Sequence, residues 1–562
     1  MPAAEESTTV ISLLCDQVAA RGTQPALVVH RGHDWVPVDW EALLSDVRRA
    51  AAALVRLGVE RGDRVVLVSP NRYEWIVADL AIQMAQAVHV PVHASLAGQQ
   101  IAYQIRASGA RVVLISGEEQ AEKLVRDAAP LVSQLKCVAF DACPETREHM
   151  QLVRFGEILH DVDERSAEQA QVDALRSVLA DDLATILYTS GTTGDPKGVM
   201  LSQRNLASNA LSTLEIFGQR EGDRRLTWLP FSHIFARTCD LYTWLASGSE
   251  LALADAPESV VANCRQLLPT LLNGVPYFFE KVYRFLVEQG MVDKPGALAA
   301  LFGGQMRLLV SGGAPLPEHI ARFYEQQGLL LVQGYGLTET SPVIATETQR
   351  HHKLGTVGRP IPGVEVQVSP DGEILTRGPH VMLGYWNDPA ASAAIVSDGW
   401  LHTGDLGELD SEGYLKITGR KKELIVTAGG KNIAPVHLES LLTEDPLIQQ
   451  ALVVGDGRNY LTALIVPDVQ ALKALIEARG IRPPPDDLLG DARVRRLVKQ
   501  RIDERLAVVS RYEQVQNFAL LEHPFSAERG EVTPTLKLRR TQIAANYAEQ
   551  IDSMYADKAA IG

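Results

Sequence analysis

The residues best suited to do chemistry lie in the run Tyr188-Thr189-Ser190-Gly191-Thr192-Thr193-Gly194-Asp195-Pro196-Lys197-Gly198. Three glycines and four hydroxyl side chains fall within ten positions. Glycine lets a backbone bend tightly enough to aim successive N–H groups at one anion. The hydroxyls add donors, and Lys197 adds a mobile positive charge. A polyphosphate is the ligand such a set suits. The spacing is not that of a Walker loop, G-x-x-x-x-G-K-[ST], because Pro196 precedes Lys197 and Gly198 follows it. Taken alone, the stretch also reads as a Gly/Ser-rich turn with Lys197 merely solvated.

Two further segments share this grammar of apolar strand followed by glycine turn. They are 308–315, with Ser311-Gly312-Gly313, and 329–340, with Gly334-Tyr335-Gly336-Leu337-Thr338-Glu339-Thr340. Ligands of open α/β sheets collect at the carboxyl ends of strands, so three such turns imply one shared crevice. Other candidates stand singly. His233 sits in an aromatic-rich segment, where a structural histidine is an equally good reading. Asp405 follows Thr403-Gly404, and Lys537 lies in a Pro-bounded loop beside Arg539 and Arg540.

The elements that must position these residues follow from periodicity. Residues 183–187 read as a short buried strand. Upstream, Asp39 is placed to cap a helix from 40 to about 57, strands are expected at 64–68, 88–92 and 111–115, and a helix at 73 to about 87. Strands alternating with helices of this length predict βαβ units and a largely parallel sheet. A helix is expected from about 204 to 217. From about 355, short alternating segments at 364–368, 372–376 and 413–417 predict a small antiparallel β unit. Gly419-Arg420-Lys421-Lys422-Glu423 reads as a charged joint. The expected fold is therefore α/β: an N-terminal domain over 1–421, and a smaller α+β domain over 422–562.

The bulk composition excludes several classes. Hydrophobic residues are 46% and charged residues 22%, an ordinary globular balance. A net charge of −15 argues against a broad nucleic-acid surface. Five scattered cysteines without metal-ligand spacing predict reduced thiols in a cytosol. No apolar run is long enough to span a membrane and no export signal is visible, so a cytoplasmic location is expected. Peripheral contact with the inner face of a membrane stays open.

Five of these segments occur in one familiar order: 188–198, Gly-Tyr-Gly-Leu-Thr-Glu-Thr at 334–340, Trp-Leu-His-Thr-Gly-Asp at 400–405, Gly-Arg-Lys-Lys-Glu at 419–423 and Thr-Pro-Thr-Leu-Lys-Leu at 533–538. The chain resembles the adenylate-forming superfamily of acyl-CoA synthetases, luciferases and nonribosomal adenylation domains. Within it, Leu-Pro-Phe-Ser-His-Ile-Phe-Ala-Arg at 229–237, Gly-Arg-Lys-Lys-Glu-Leu-Ile-Val at 419–426 and Thr-Pro-Thr-Leu-Lys-Leu-Arg-Arg at 533–540 are most similar to long-chain fatty acyl-CoA synthetases. The resemblance implies an ATP-dependent fatty acid–CoA ligase with Mg²⁺, ATP and CoA. It acts by acyl-adenylate formation with pyrophosphate release, then thioester formation.

By the same resemblance, Thr189, Ser190, Gly191, Thr192, Thr193, Gly194 and Lys197 hold the phosphates, and Thr189 and Glu339 hold the metal. Thr338 bonds the α-phosphate, Tyr335 stacks on adenine, and Gly312, Gly313, Gly334 and Gly336 border the nucleotide. Asp405 takes the ribose hydroxyls with Arg420 nearby. Lys537 bridges carboxylate and α-phosphate, Lys422 is the hinge of a mobile C-terminal domain, and Gly429 and Gly430 line a CoA channel. His233 flanks and helps gate the acyl pocket, while Arg237 stands where some relatives have a tryptophan gate. Trp228, Phe231, Phe235, Tyr277, Phe278 and Phe279 are candidate walls of an acyl tunnel. A ligase for another carboxylic acid, or one using an acyl carrier instead of CoA, is the competing reading.

Overall fold

The computed structural model describes residues 7–32, 34–146, 148–189, 195–218, 220, 222–484, 487–526, 528–532 and 538–556. Among these, two large sheets dominate the first four hundred residues. The eight-stranded sheet runs Gly384–Tyr385, Lys197–Ser202, Leu183–Thr189, Val88–Val92, Arg64–Val68, Val112–Ile115, Lys136–Ala139, Leu152–Arg154. From Leu183–Thr189 to Leu152–Arg154 its neighbours pair in parallel. The nine-stranded sheet runs Arg359–Pro360, Val343–Thr346, Leu331–Gly336, Leu308–Ser311, Leu271–Gly274, Arg224–Thr227, Glu250–Leu253, Pro25–Arg31, Asp34–Asp39.

Strand alternation explains why both sheets are covered on two sides. Val65 and Leu67 join a core containing Trp40, Leu43, Trp75, Leu80, Leu206, Leu27 and Leu251, which ties the two sheets together through the helices Trp40–Arg56, Tyr73–Met84 and Gln203–Phe217. Val66 and Val68 face the opposite way, onto the helices Gly98–Ser108 and Glu118–Val132. In the nine-stranded sheet Leu226, Leu272, Leu309 and Leu331 pack under Pro276–Glu288 and Glu318–Gln326. Leu271, Leu308, Val310 and Val332 occupy the other face, toward Phe217.

The expected helices and strands are present. Asp39 accepts the Ala42 N–H at 2.7 Å and starts Trp40–Arg56. One strand is additional to the expected elements, and one local expectation differs. The phosphate-loop segment leads into an antiparallel strand, Lys197–Ser202, before Ser202 caps the helix Gln203–Phe217. Gly334-Tyr335-Gly336 is not a turn but the end of a strand, Leu331–Gly336, paired antiparallel with Val343–Thr346. The antiparallel β unit contains Glu365–Val368, Glu373–Arg377, Val396–Ser397, Trp400–Leu409 and Leu415–Arg420. Beyond Lys421–Glu423, a three-stranded sheet (Ile448–Val454, Leu461–Pro467, Val515–Leu520) carries helices on both faces. No described helix is long and apolar enough to cross a membrane.

Candidate active site

A cleft of about 2600 Å³ opens where the two large sheets, the antiparallel unit and the C-terminal sheet converge. Thr189, Lys197, His233, Gly312, Gly313, Gly334, Tyr335, Gly336, Thr338, Glu339, Asp405, Arg420 and Lys422 all line it. Ser190, Gly191, Thr192, Thr193, Gly194 and Lys537 lie outside the described residues. Val532 and Leu538, which flank Lys537 in sequence, line the cleft and form an antiparallel bridge with each other. Gly429 and Gly430 are not brought into the cleft. They occupy an exposed turn between Ile425–Val426 and Asn432–Ile433.

Asp405 organises one wall. Its strand, Trp400–Leu409, pairs it directly with Arg420 of Leu415–Arg420. The carboxylate is 2% exposed. Arg420 Nε approaches its Oδ1 at 2.7 Å, and the Tyr335 hydroxyl donates to Oδ2 at 2.7 Å. Burial, reinforced by the Asp405 charge, drives the Tyr335 phenol well above its ordinary pKa, so it stays a donor. The ring of Tyr335 is thereby pinned at its edge to a buried anion.

The glycines of this wall do different jobs. A Cβ on Gly312 would lie 2.8 Å from the Phe235 ring, so its missing side chain admits Phe235 rather than a ligand. On Gly336 it would lie 1.7 Å from the Pro342 carbonyl oxygen, a close approach of backbone to backbone. Gly313, at φ +83°, combines a left-handed backbone with open space on its Cβ side.

Opposite stands Glu339, in the short 3₁₀ turn Thr338–Thr340. Tyr385 donates its hydroxyl to Glu339 Oε1 at 2.8 Å. Lys197 Nζ lies 5.0 Å over the Tyr385 ring and 3.9 Å from Asp388 Oδ2. Burial first, then the Glu339 carboxylate, raises the Tyr385 phenol and keeps it protonated. Sequence reasoning missed Tyr385. Its strand Gly384–Tyr385 pairs with Lys197–Ser202, a partnership between segments nearly two hundred residues apart. Thr189 and Glu339 offer hydroxyl and carboxylate oxygens, ligands suited to a hard cation. No cluster of three or more His, Cys, Asp or Glu side chains among the described residues could cage a metal. This donor set fits an ion whose remaining ligands come from phosphates and water.

From this polar end a recess runs between the helix Gln203–Phe217 and the nine-stranded sheet, lined by Thr213, Phe217, Phe235, Cys239, Val310 and Val343. Of the six aromatic residues considered for an acyl tunnel, Phe235 and Tyr277 line the cleft. Phe231, Phe278 and Phe279 are buried in cores, and the Trp228 indole donates to the Asn273 carbonyl at 2.9 Å. His233 caps a helical turn, its Nδ1 accepting the Phe235 N–H at 3.2 Å. A second histidine was missed: His93 lines the cleft, hydrogen-bonds Ser232 at 2.9 Å, and is lowered to about 4 by burial. Arg237 is not at any gate. It is fully buried in an ion pair with Asp79 and donates to Thr185 Oγ1 at 2.7 Å.

At the charged joint, Lys421 Nζ contacts Asp371 Oδ2 at 2.7 Å and Glu373 Oε2 at 3.1 Å, while Lys422 beside it is exposed.

Taken together, the fold and cleft define a two-part α/β nucleotide-binding protein with an adjoining apolar recess. Residues 14–386 match the AMP-binding enzyme family and residues 422–559 match the AMP-binding enzyme C-terminal domain. The chain belongs to the AMP-binding enzyme family. It is 34% identical over 571 residues to the long-chain-fatty-acid–CoA ligase FadD15 of Mycobacterium bovis, covering 93% of this chain and 92% of that protein. It is 27% identical to human long-chain-fatty-acid–CoA ligase ACSBG2, covering 99% and 93%. Its fold is also similar to the anthranilate CoA ligase AuaEII in complex with anthranoyl-AMP (TM-score 0.79, 20% identity, 97% and 99% covered). ATP-bound MatB from Rhodopseudomonas palustris is similar as well (TM-score 0.76, 24% identity, 96% and 98% covered).

Proposed function

We propose that the protein is an ATP-dependent long-chain fatty acid–CoA ligase. The observation that carries this reading is the continuity of one cleft: a polar wall built on Tyr335, Asp405, Arg420 and Glu339 passes directly into an apolar recess. In the first step a carboxylate oxygen of the acid attacks the α-phosphorus of ATP. The bond from that phosphorus to the bridging oxygen breaks, and pyrophosphate leaves. In the second, the CoA sulfur attacks the acyl carbonyl carbon, its proton is lost, and AMP departs with the former carboxylate oxygen.

Each residue has a task in this scheme. Asp405, held by Tyr335 and Arg420, accepts from the ribose hydroxyls; a carboxylate has lone pairs enough to keep both partners and take a diol. Tyr335 offers its ring face to the base, and Gly313 leaves the space beside it. Thr338 donates to the α-phosphate. Thr189 and Glu339 hold Mg²⁺, which when bound offsets phosphate charge. Lys197, with Ser190, Gly191, Thr192, Thr193 and Gly194, holds the β- and γ-phosphates.

Lys537 delivers a positive charge to the α-phosphate as negative charge accumulates there. The domain over 422–562 then turns about Lys422, withdrawing Lys537 and bringing the Gly429–Gly430 turn to the pantetheine arm. That rotation would account for the turn lying outside the cleft in the present arrangement.

A panel of acids from acetate to octadecanoate, read as thioester formed with CoA and pyrophosphate released, tests the proposal. Long saturated acids should give the highest kcat/KM. Thioester only from short or aromatic acids, or orthophosphate released without any acid, would overturn it.

A further inference from the structure

The recess holds one group that an all-hydrocarbon chain does not explain. Arg225 lines it, is 7% exposed, and among the described residues its Nε has no hydrogen-bond partner. Its contact with Asp240 is long, 3.3 Å from Nη1 to Oδ1, because that carboxylate is held elsewhere. Asn273 Nδ2 donates to Asp240 Oδ1 at 2.7 Å, and the Thr227 hydroxyl donates to Oδ2 at 2.9 Å. Burial raises the Asp240 carboxyl in spite of these partners. The guanidinium is thus buried, under-satisfied and beside the path of the ligand. Leaving such a donor unpaired is costly, and covering it with methylene groups makes that cost permanent.

Register places this group along the recess. Arg225 is level with Leu271, and Leu271 with Leu308; Gly274 is level with Ser311, immediately before Gly312. The Arg225 row therefore lies four residues below Gly312, roughly 13 Å at about 3.3 Å per residue. That is about ten carbons of an extended chain built from bonds of about 1.5 Å.

Resting on the acyl recess proposed above, we propose that Arg225, with Asp240 and Asn273, forms a polar floor that recognises a hydroxyl carried mid-chain on the fatty acid, near its tenth carbon. A neutral oxygen fits better than a second carboxylate. Asp240 already supplies the counter-charge, and a further anion would leave net negative charge buried. A hydroxyl accepts from the Arg225 Nε–H without disturbing the Asp240 hydrogen bonds.

The test is thioester formation from three sixteen-carbon acids: unsubstituted, hydroxylated near carbon ten, and hydroxylated beside the carboxylate. Arg225→Met and Arg225→Lys are assayed beside the parent. In the parent the mid-chain hydroxyl should raise kcat/KM by about tenfold over the other two, the size of one hydrogen bond to a charged donor. Arg225→Met should reverse the preference, favouring the unsubstituted acid, and Arg225→Lys should retain part of it. Because the positional preference is read in the parent, a poorly folding variant leaves the test intact. Equal use of the three acids, or preference for the unsubstituted one, overturns the polar floor while leaving the ligase reading in place. If no long acid is converted while short acids are, the acyl recess fails and the floor with it.

Discussion

Tyr385→Phe isolates the least expected contact in the site. The substitution keeps the ring under Lys197 and removes only the hydroxyl that donates to Glu339 Oε1 at 2.8 Å. Hydrogen bonds to charged groups contribute about 1.5–3 kcal/mol. Tyr385 is buried but Glu339 only partly so, and the low end applies. About 1.5 kcal/mol is roughly a tenfold change. Since Glu339 is assigned to the metal and phosphate side, the loss should fall on the first half-reaction. ATP–pyrophosphate exchange should drop about tenfold in kcat/KM, with the magnesium dependence displaced to higher concentration. Conversion of supplied acyl-adenylate and CoA to thioester should stay near the parent's rate. A double-mutant cycle with Glu339→Gln should then show coupling of about 1–2 kcal/mol. Equal losses in both half-reactions, or additivity with Glu339→Gln, would refute the reasoning.

Lys537→Ala should abolish adenylate formation while leaving thioesterification of supplied acyl-adenylate nearly intact; equal loss of both would remove its assigned role. His93 supplies a pH prediction. Its folded pKa of about 4 lies below the ordinary 6.5, so the unfolded chain binds a proton that the folded one refuses. Its contribution is fully present above pH 6.5 and is lost as pH falls toward about 4, at about 1.4 kcal/mol per pH unit. The stability gap between His93→Asn and the parent, read from urea midpoints, should change by that slope across the window and be flat above it. A gap independent of pH would contradict the burial of a neutral imidazole.

Most secondary structure was legible because its causes are local. The Asp39 cap and the Val-rich parallel strands announce themselves within a few residues. So does the alternation in Glu365–Val368 and Glu373–Arg377. The exceptions share a cause. Gly334-Tyr335-Gly336 reads as a turn by composition, yet Val343–Thr346 supplies a ladder that holds it extended. Gly312 reads as room for a ligand, and the room is taken by Phe235, whose position depends on a helical turn capped by His233. Tyr385 and His93 carry no motif. They reach the cleft because sheet order makes neighbours of distant segments, and periodicity holds no information about that order.

The two arginines of the acyl region show why residue type alone misassigns charge. Arg237, in a stretch that resembles a gate, is fully buried away from the cleft and held by Asp79 and Thr185, where cutting either partner would strand a buried ion. Its place is architectural, binding the segment after His233 to Tyr73–Met84 and to the strand Leu183–Thr189. Arg225 sits in an unremarked strand with its neighbours' hydrogen bonds spent on one another, and it lines the recess with its Nε–H unused. Among the described residues each leaves a buried Nε without a partner, so what separates a structural charge from one that can meet a ligand is access: Arg225 lines the cleft and Arg237 does not. The contacts around Arg225 are set by two strands and a helical segment meeting in space. A hydroxylated acid should pair the unused donor at Arg225, whereas the one at Arg237 does not line the cleft.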